Sequence, residues 1–202
     1  MYTNRMQSEQ TLQTVIVDDV ALFPLFVPEG LQQRLLREFE GLSFKDPEAP
    51  QCKLVRQDFD KVQLNEIPHD MPALDELDEL VQNFVQLGTG VEPNLSKWFP
   101  NEIVIQRYTS AGHITGHKDS KKHRLLVAIV NLAGSCHFDI LTCRDGQPVI
   151  RLTPKAGDLI LMKASGLLSD QVDDRPFHQV SGNLDESVRY RISVGFRCSS
   201  LT

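Results

Sequence analysis

From residue 102 onward the chain is a succession of short Val-, Ile- and Leu-rich runs cut by turn residues. "EIVIQRYT" (102–109), "RLLVAIVNLA" (124–133), "CHFDIL" (136–141), "PVIRLT" (148–153), "DLILMKA" (158–164) and "RYRISVGFR" (189–197) each have strand length and strand composition. "AGS", "RDGQ", "PKAGD" and "SGN" punctuate them, and "CRDGQP" between two such runs reads as a hairpin loop. Many short strands joined by turns fold as a β-sandwich or jelly roll.

The first half differs. "TVIVDDVALFPLFV" (14–27) holds a short β-type segment, and "CKLVRQDF" and "KVQL" (52–64) suggest short strands. "PEGLQQRLLREFEGL" (28–42) has Leu31, Leu35, Leu36 and Phe39 at helical spacing, with Pro28 at the start and Gly41 at the end. "MPALDELDELVQNFVQLG" (71–88) places Leu74, Leu77, Val81, Phe84 and Val85 on one helical face before Gly88. These helices are expected to pack outside the β core.

At 202 residues the chain suits a single domain, 1–202. Residues 1–100 read as helical and short-strand support with a possible substrate lid, and 101–198 as the core. No apolar run reaches the roughly 18 residues of a membrane span, and "MYTNRMQSEQ" has no signal-peptide core, so no membrane partner and a cytoplasmic location are expected. Cys52, Cys136, Cys143 and Cys198 form no C-x-x-C pair, which argues against a zinc site or disulfide framework. The net charge of −6 lowers the expectation of strong polyanion binding, although "KDSKKHR" (118–124) could rim a local basic groove.

Six histidines occur, and one subset suggests chemistry. In "GHITGHKD", His117 and Asp119 are two apart, and extended backbone puts such residues on one face. His178, in "RPFHQV" before the last long strand, could be a third ligand. Two histidines and a carboxylate make a facial triad that leaves positions open on Fe(II). H-x-D alone arises often by chance. Arg191 and Arg197, six apart on one strand, project from the same face, and guanidinium groups grip carboxylates bidentately.

Taken in order, "IQRYTSAGHITGHKD", "IVNLAGSCHF", "KAGDLILM", "FHQV" and "RISVGFR" resemble the AlkB-type branch of the Fe(II)/2-oxoglutarate-dependent dioxygenases over residues 100–198. The resemblance implies an α+β, mainly β fold with a double-stranded β-helix (jelly-roll, cupin-like) core. It implies iron ligands His117, Asp119 and His178, with Fe(II), 2-oxoglutarate and O2 as cofactor and cosubstrates. Arg191 matches the arginine that binds the distal carboxylate of 2-oxoglutarate, Arg197 the second arginine of the motif, and Tyr108 a hydrogen-bonding tyrosine. Gln106 and Ser193 stand where many members carry Asn. Asp158 matches a structural turn residue.

The implied reaction is hydroxylation of a C–H bond with release of succinate and CO2, and on an N-methyl group, loss of formaldehyde. The substrate is expected to be an alkylated nucleobase of DNA or RNA, or alternatively a small molecule or protein side chain. Met162 stands where repair members have a base-stacking Trp, and Lys121 where they have an acid, so both depart from the nucleobase pattern. His113, Lys121, His123 and Met162 are the residues offered as substrate contacts. Trp98, Tyr2, Tyr108 and Tyr190 are the chain's whole stock of Trp and Tyr. The sequence leaves the oligomeric state unknown.

Overall fold

The computed structural model describes residues 5–48, 54–168 and 173–200. Two antiparallel sheets face each other. The larger has six strands and the smaller five. The elements run α1 (Arg5–Asp18), β1 (Val20–Phe23), α2 (Glu29–Phe39), β2 (Gln57–Asp58), β3 (Asp60–Leu64) and α3 (Pro72–Leu87). After a short 3-10 helix (Pro93–Lys97) come β4 (Glu102–Tyr108), β5 (His113–His117), β6 (His123–Ala133), β7 (Phe138–Leu141), β8 (Pro148–Leu152), β9 (Leu159–Lys163), β10 (Phe177–Val180) and β11 (Arg191–Ser199). The large sheet has the order β1-β9-β6-β11-β4-β3 and the small sheet β2-β5-β10-β7-β8. This is the expected mainly β jelly roll.

Side-chain alternation along the large sheet builds two cores. Ile103 and Ile105 of β4, Leu126, Ala128 and Val130 of β6, Leu159 and Leu161 of β9, and Val194 and Phe196 of β11 face the helices. There they meet Leu31, Leu35 and Phe39 of α2 and Leu74, Leu77, Val81, Phe84 and Val85 of α3, the apolar faces expected from spacing. The alternate residues, including Tyr108, Val127, Ile129, Ile160 and Met162, face the small sheet and pack on Ile114, Phe138, Ile140 and Val180. A strand buried on both faces reads as a continuous apolar run, which is why "RLLVAIVNLA" lacks alternation.

The first-half elements lie as follows. The short β-type segment expected within 14–27 is Val20–Phe23, and the residues before it belong to α1, which extends to Asp18 and buries Leu12 and Val15 in the helix-side core. Residues 113–117, absent from the strand-like runs of the sequence, form the paired strand β5. The proposed hairpin around "CRDGQP" joins β7 and β8, which pair antiparallel. Residues 52 and 53 of the expected strand lie outside the described residues. Cys136, Cys143 and Cys198 are free thiols, and Cys52 also lies outside the described residues.

Candidate metal and cosubstrate site

The site sits between the sheets. β5 and β10 pair antiparallel with His117 opposite His178 and Ile114 opposite Val180. Three steps along β5 thus match two along β10, a bulge that lets Ile114 and His117 share the inner face despite their odd spacing. Gly116 lies in the bulge, where a Cβ would land on the Arg144 carbonyl oxygen. Asp119 follows in the loop after β5.

His117, Asp119 and His178 each offer one ligand atom, and these atoms lie within 4.8 Å of one another. The Nε2 atoms of His117 and His178 are each 3.7 Å from Asp119 Oδ1. His117 Nδ1 lies 2.9 Å from the Thr115 carbonyl and His178 Nδ1 3.4 Å from the Pro176 carbonyl. A carbonyl only accepts, so each Nδ1 carries a proton and Nε2 is the ring atom turned toward a metal. Phe138 stacks on the His178 ring at 5.5 Å. Burial, with the His117 ring alongside, pushes His178 down to about 3, so it stays neutral.

The two Asp119 oxygens are divided. Oδ1 faces the histidines, while Oδ2 lies 3.7 Å from both His123 Nδ1 and Arg197 Nε. Burial alone would raise the Asp119 pKa. Its neighbours His117, His123 and Arg197 outweigh that and hold it well below the usual carboxylate range. His123 Nε2 is 3.3 Å from Glu102 Oε1, and Glu102 Oε2 accepts from Lys122 Nζ at 2.7 Å. For His123, burial would lower the pKa, and the two carboxylates raise it instead. Arg175 donates to the Asp119 carbonyl and pairs with Asp173, tying the loop before β10 to the loop after β5.

β11 carries the arginines. Its register sets Arg191 opposite Tyr108, Ser193 opposite Gln106 and Arg197 opposite Glu102 on β4. Arg191 is 1 % exposed, and its Nη1 has no hydrogen-bond partner among the described residues. Ser193 Oγ and Arg197 Nη1 are buried and likewise unpartnered. The Arg191 guanidinium carbon sits 4.9 Å from the Tyr108 ring centre, and Tyr108 stacks on Phe59 at 5.1 Å. Burial pushes the Tyr108 phenol above its ordinary range.

An inner recess lined by Gln106, Tyr108, Ile129, Arg191 and Arg197 meets the metal triad. It shares Gln106, Ile114, His117, Asp119 and Arg197 with a wider cleft of about 760 Å³. That cleft is walled by Val55, Gln57, Phe59 and Lys61 on one side and by residues 117–123 on the other. The donor set suits Fe(II) with open positions. An unpaired buried guanidinium is costly unless an anion reaches it, so the recess fits a group with a carboxylate at its far end. Among the described residues, a second groove of about 480 Å³ between α1 and β1 is lined by no charged, histidine or cysteine side chain.

The structure brings together His117, Asp119, His178, Tyr108, Gln106, Ser193, Arg191 and Arg197. It separates some of the expected substrate contacts. Met162 is buried among apolar residues and does not line the cleft. His113 lies with His137, Asp139 and Arg151, side chains on the far face of the small sheet. His123 lines the cleft but is buried between Asp119 and Glu102, not at a rim. Lys121 stands at the mouth. Trp98 is fully buried and donates to the Leu126 carbonyl at 2.8 Å, so it offers no stacking surface. The sequence reading missed Glu102, Arg175 and Asn131. Only Asn131 left a signal there, as a polar residue inside an apolar strand.

No protein-family model and no curated protein matches the chain. Solved structures do. A prolyl hydroxylase from Trichoplax adhaerens, in complex with a hypoxia inducible factor oxygen degradation domain peptide fragment, overlays with TM-score 0.71 at 12% identity, covering 96% of this chain and 89% of that one. A Pseudomonas putida prolyl-4-hydroxylase gives 0.66 at 15% identity, covering 96% and 100%. OsALKBH1 gives 0.65 at 14% identity, covering 89% and 98%. The chain therefore has the double-stranded β-helix fold seen in these solved hydroxylases and in OsALKBH1.

Proposed function

We propose that this chain is an Fe(II)- and 2-oxoglutarate-dependent oxygenase that hydroxylates a C–H bond. The observation that carries the reading is the buried Arg191 guanidinium, unpartnered at Nη1 and facing a recess that ends at a His-Asp-His cluster. Bound there, Fe(II) and 2-oxoglutarate would supply the oxidation of the C–H bond by O2, with succinate and CO2 as co-products.

The chain's own residues do the rest. His117, Asp119 and His178 would hold the metal, each histidine fixed by its Nδ1 bond to a backbone carbonyl. Arg191 would bind the distal carboxylate of the cosubstrate above the Tyr108 ring. Arg197 faces Asp119 Oδ2, leaving Oδ1, on the histidine side, as the oxygen that would hold the metal. Ile114, Ile129, Phe138 and Val180 keep water from the recess. The wider cleft presents the substrate bond.

For the substrate we favour an N-methyl group on an alkylated nucleobase. The support is the ordered AlkB-like motifs, the likeness to OsALKBH1, and Lys61 and Lys121 in the cleft, which form no ion pair among the described residues. A second reading, hydroxylation of a protein side chain, has its own support. The chain overlays on two prolyl hydroxylases, one of them bound to a peptide. Succinate release should be measured with methylated DNA and RNA oligonucleotides and with a peptide panel. Oligonucleotide-stimulated succinate with matching formaldehyde is the expected result. Stimulation by peptides alone, without formaldehyde, would replace the nucleobase reading with the second.

A further inference from the structure

Between Leu125 and Ala133, Asn131 is the only residue of β6 with a polar side chain. It is fully buried and fully used. Its Oδ1 accepts from Arg191 Nε at 2.8 Å, and its Nδ2 donates to the Gly134 carbonyl at 2.7 Å. Its backbone is tied too: its N–H donates to the Asp158 carbonyl at 2.9 Å, and its carbonyl accepts from Gly157 at 2.7 Å. These bonds fix the amide orientation, because the reversed amide would set its NH2 against a guanidinium and its oxygen against a carbonyl.

The neighbouring turn is built for this contact. Gly134 adopts φ +69, and a Cβ there would collide with Asn183 Oδ1 and come 3.1 Å from Arg191 Cα. Glycine lets the turn close against β11 and bring its carbonyl to Asn131. A bulge in β6 sets Asn131 opposite Ser193 and Ala133 opposite Ile192, which places the Asn131 side chain beside Arg191.

The partner chosen for Arg191 is a neutral amide. No carboxylate among the described residues forms an ion pair with Arg191. A carboxylate on β6 would hold the same Nε but would neutralise the charge. An amide fixes the direction of the guanidinium and leaves its charge unspent, with Nη1 meeting no acceptor among the described residues. We infer that Asn131 is the positioning residue that aims Arg191 and keeps its charge for the far carboxylate of the cosubstrate. It thereby sets a preference for dicarboxylic over monocarboxylic 2-oxo acids. The inference rests on the 2-oxoglutarate reading of the site.

The test uses the full chain loaded with Mn(II), titrated calorimetrically with 2-oxoglutarate and with pyruvate. Pyruvate has the same 2-oxo acid head and no distal carboxylate. Wild type should bind 2-oxoglutarate at least about tenfold more tightly than pyruvate. Asn131→Asp should lose most of that ratio, with Mn(II) and pyruvate affinities unchanged. Asn131→Leu, which has no carboxylate to crowd the Gly134 carbonyl, should lose part of it, because the charge remains but is no longer aimed. A merely structural Asn131 would weaken all three ligands together. Wild-type ratios in folded N131D or N131L overturn the inference. If N131D does not fold, N131L decides alone. If wild type itself does not prefer 2-oxoglutarate to pyruvate, the cosubstrate reading fails first.

Discussion

At the scale of the residue, the site works by dividing labour between atoms of one side chain. Asp119 turns one oxygen toward the His117 and His178 imidazoles and the other toward His123 and Arg197. Asp119→Ala removes a ligand and the carboxylate 3.7 Å from Arg197 Nε, so Mn(II) affinity should fall more than about 100-fold by calorimetry. Wild-type affinity in that variant would remove Asp119 from the ligand set. A second carboxyl makes a claim about pH. Asp78 on α3 is pushed up from 3.8 to about 6 by burial, against one hydrogen bond from Gln82 and with Asp75 and Glu79 nearby. Below the lower value it is protonated in both folded and unfolded chains. As pH rises between the two values, the unfolded chain releases its proton first, so stability falls and then levels off. Asp78→Asn should match wild type in denaturation near pH 3.5 and exceed it by about 1–2 kcal/mol at pH 7.5, after allowance for partial exposure. Local motifs made His117 and Asp119 legible in the sequence. Asn131 was not, because its meaning depends on a partner 60 residues away.

At the scale of the element, the bulge in β5 does the aiming. Simple alternation would put Ile114 and His117 on opposite faces, and the pairing with β10 puts them on one. Gly116 permits it. Gly116→Ala should lower the melting temperature and weaken Mn(II) binding by about 10–100-fold, because a methyl group at the Arg144 carbonyl moves His117. A variant with full metal affinity would show that the bulge does not need glycine. Elements with strong periodicity, α2 and α3, were readable from spacing. α1 was not: its "TVIV" run favours a strand locally, and burial of Leu12 and Val15 against the large sheet decides for helix. β2 and β3 were legible as strands, but not the consequence that they pair with different sheets and wall the cleft.

At the scale of the whole molecule, the large sheet separates stability from chemistry. One face packs on the helices and the other holds the arginines, Gln106 and Asn131. Leu77, fully buried on the helix side, is remote from the cleft lining. Leu77→Ala should cost about 2–5 kcal/mol in chemical denaturation while Mn(II) affinity below the transition stays unchanged. Coupled loss of both would mean the two cores are not independent. The class of fold was legible because strand runs and turns alternate. The choice of substrate was not, because it depends on which loops line the cleft, and Met162 and His113 prove to lie away from it. The central claim is that one chain binds one Fe(II) and one 2-oxoglutarate together. The most direct measurement is anaerobic visible spectroscopy during titration of the Fe(II)-loaded protein with 2-oxoglutarate. The account predicts a weak charge-transfer band that saturates at one equivalent per chain and is absent in Asp119→Ala. No band in the wild-type protein, or an equal band in Asp119→Ala, would contradict it.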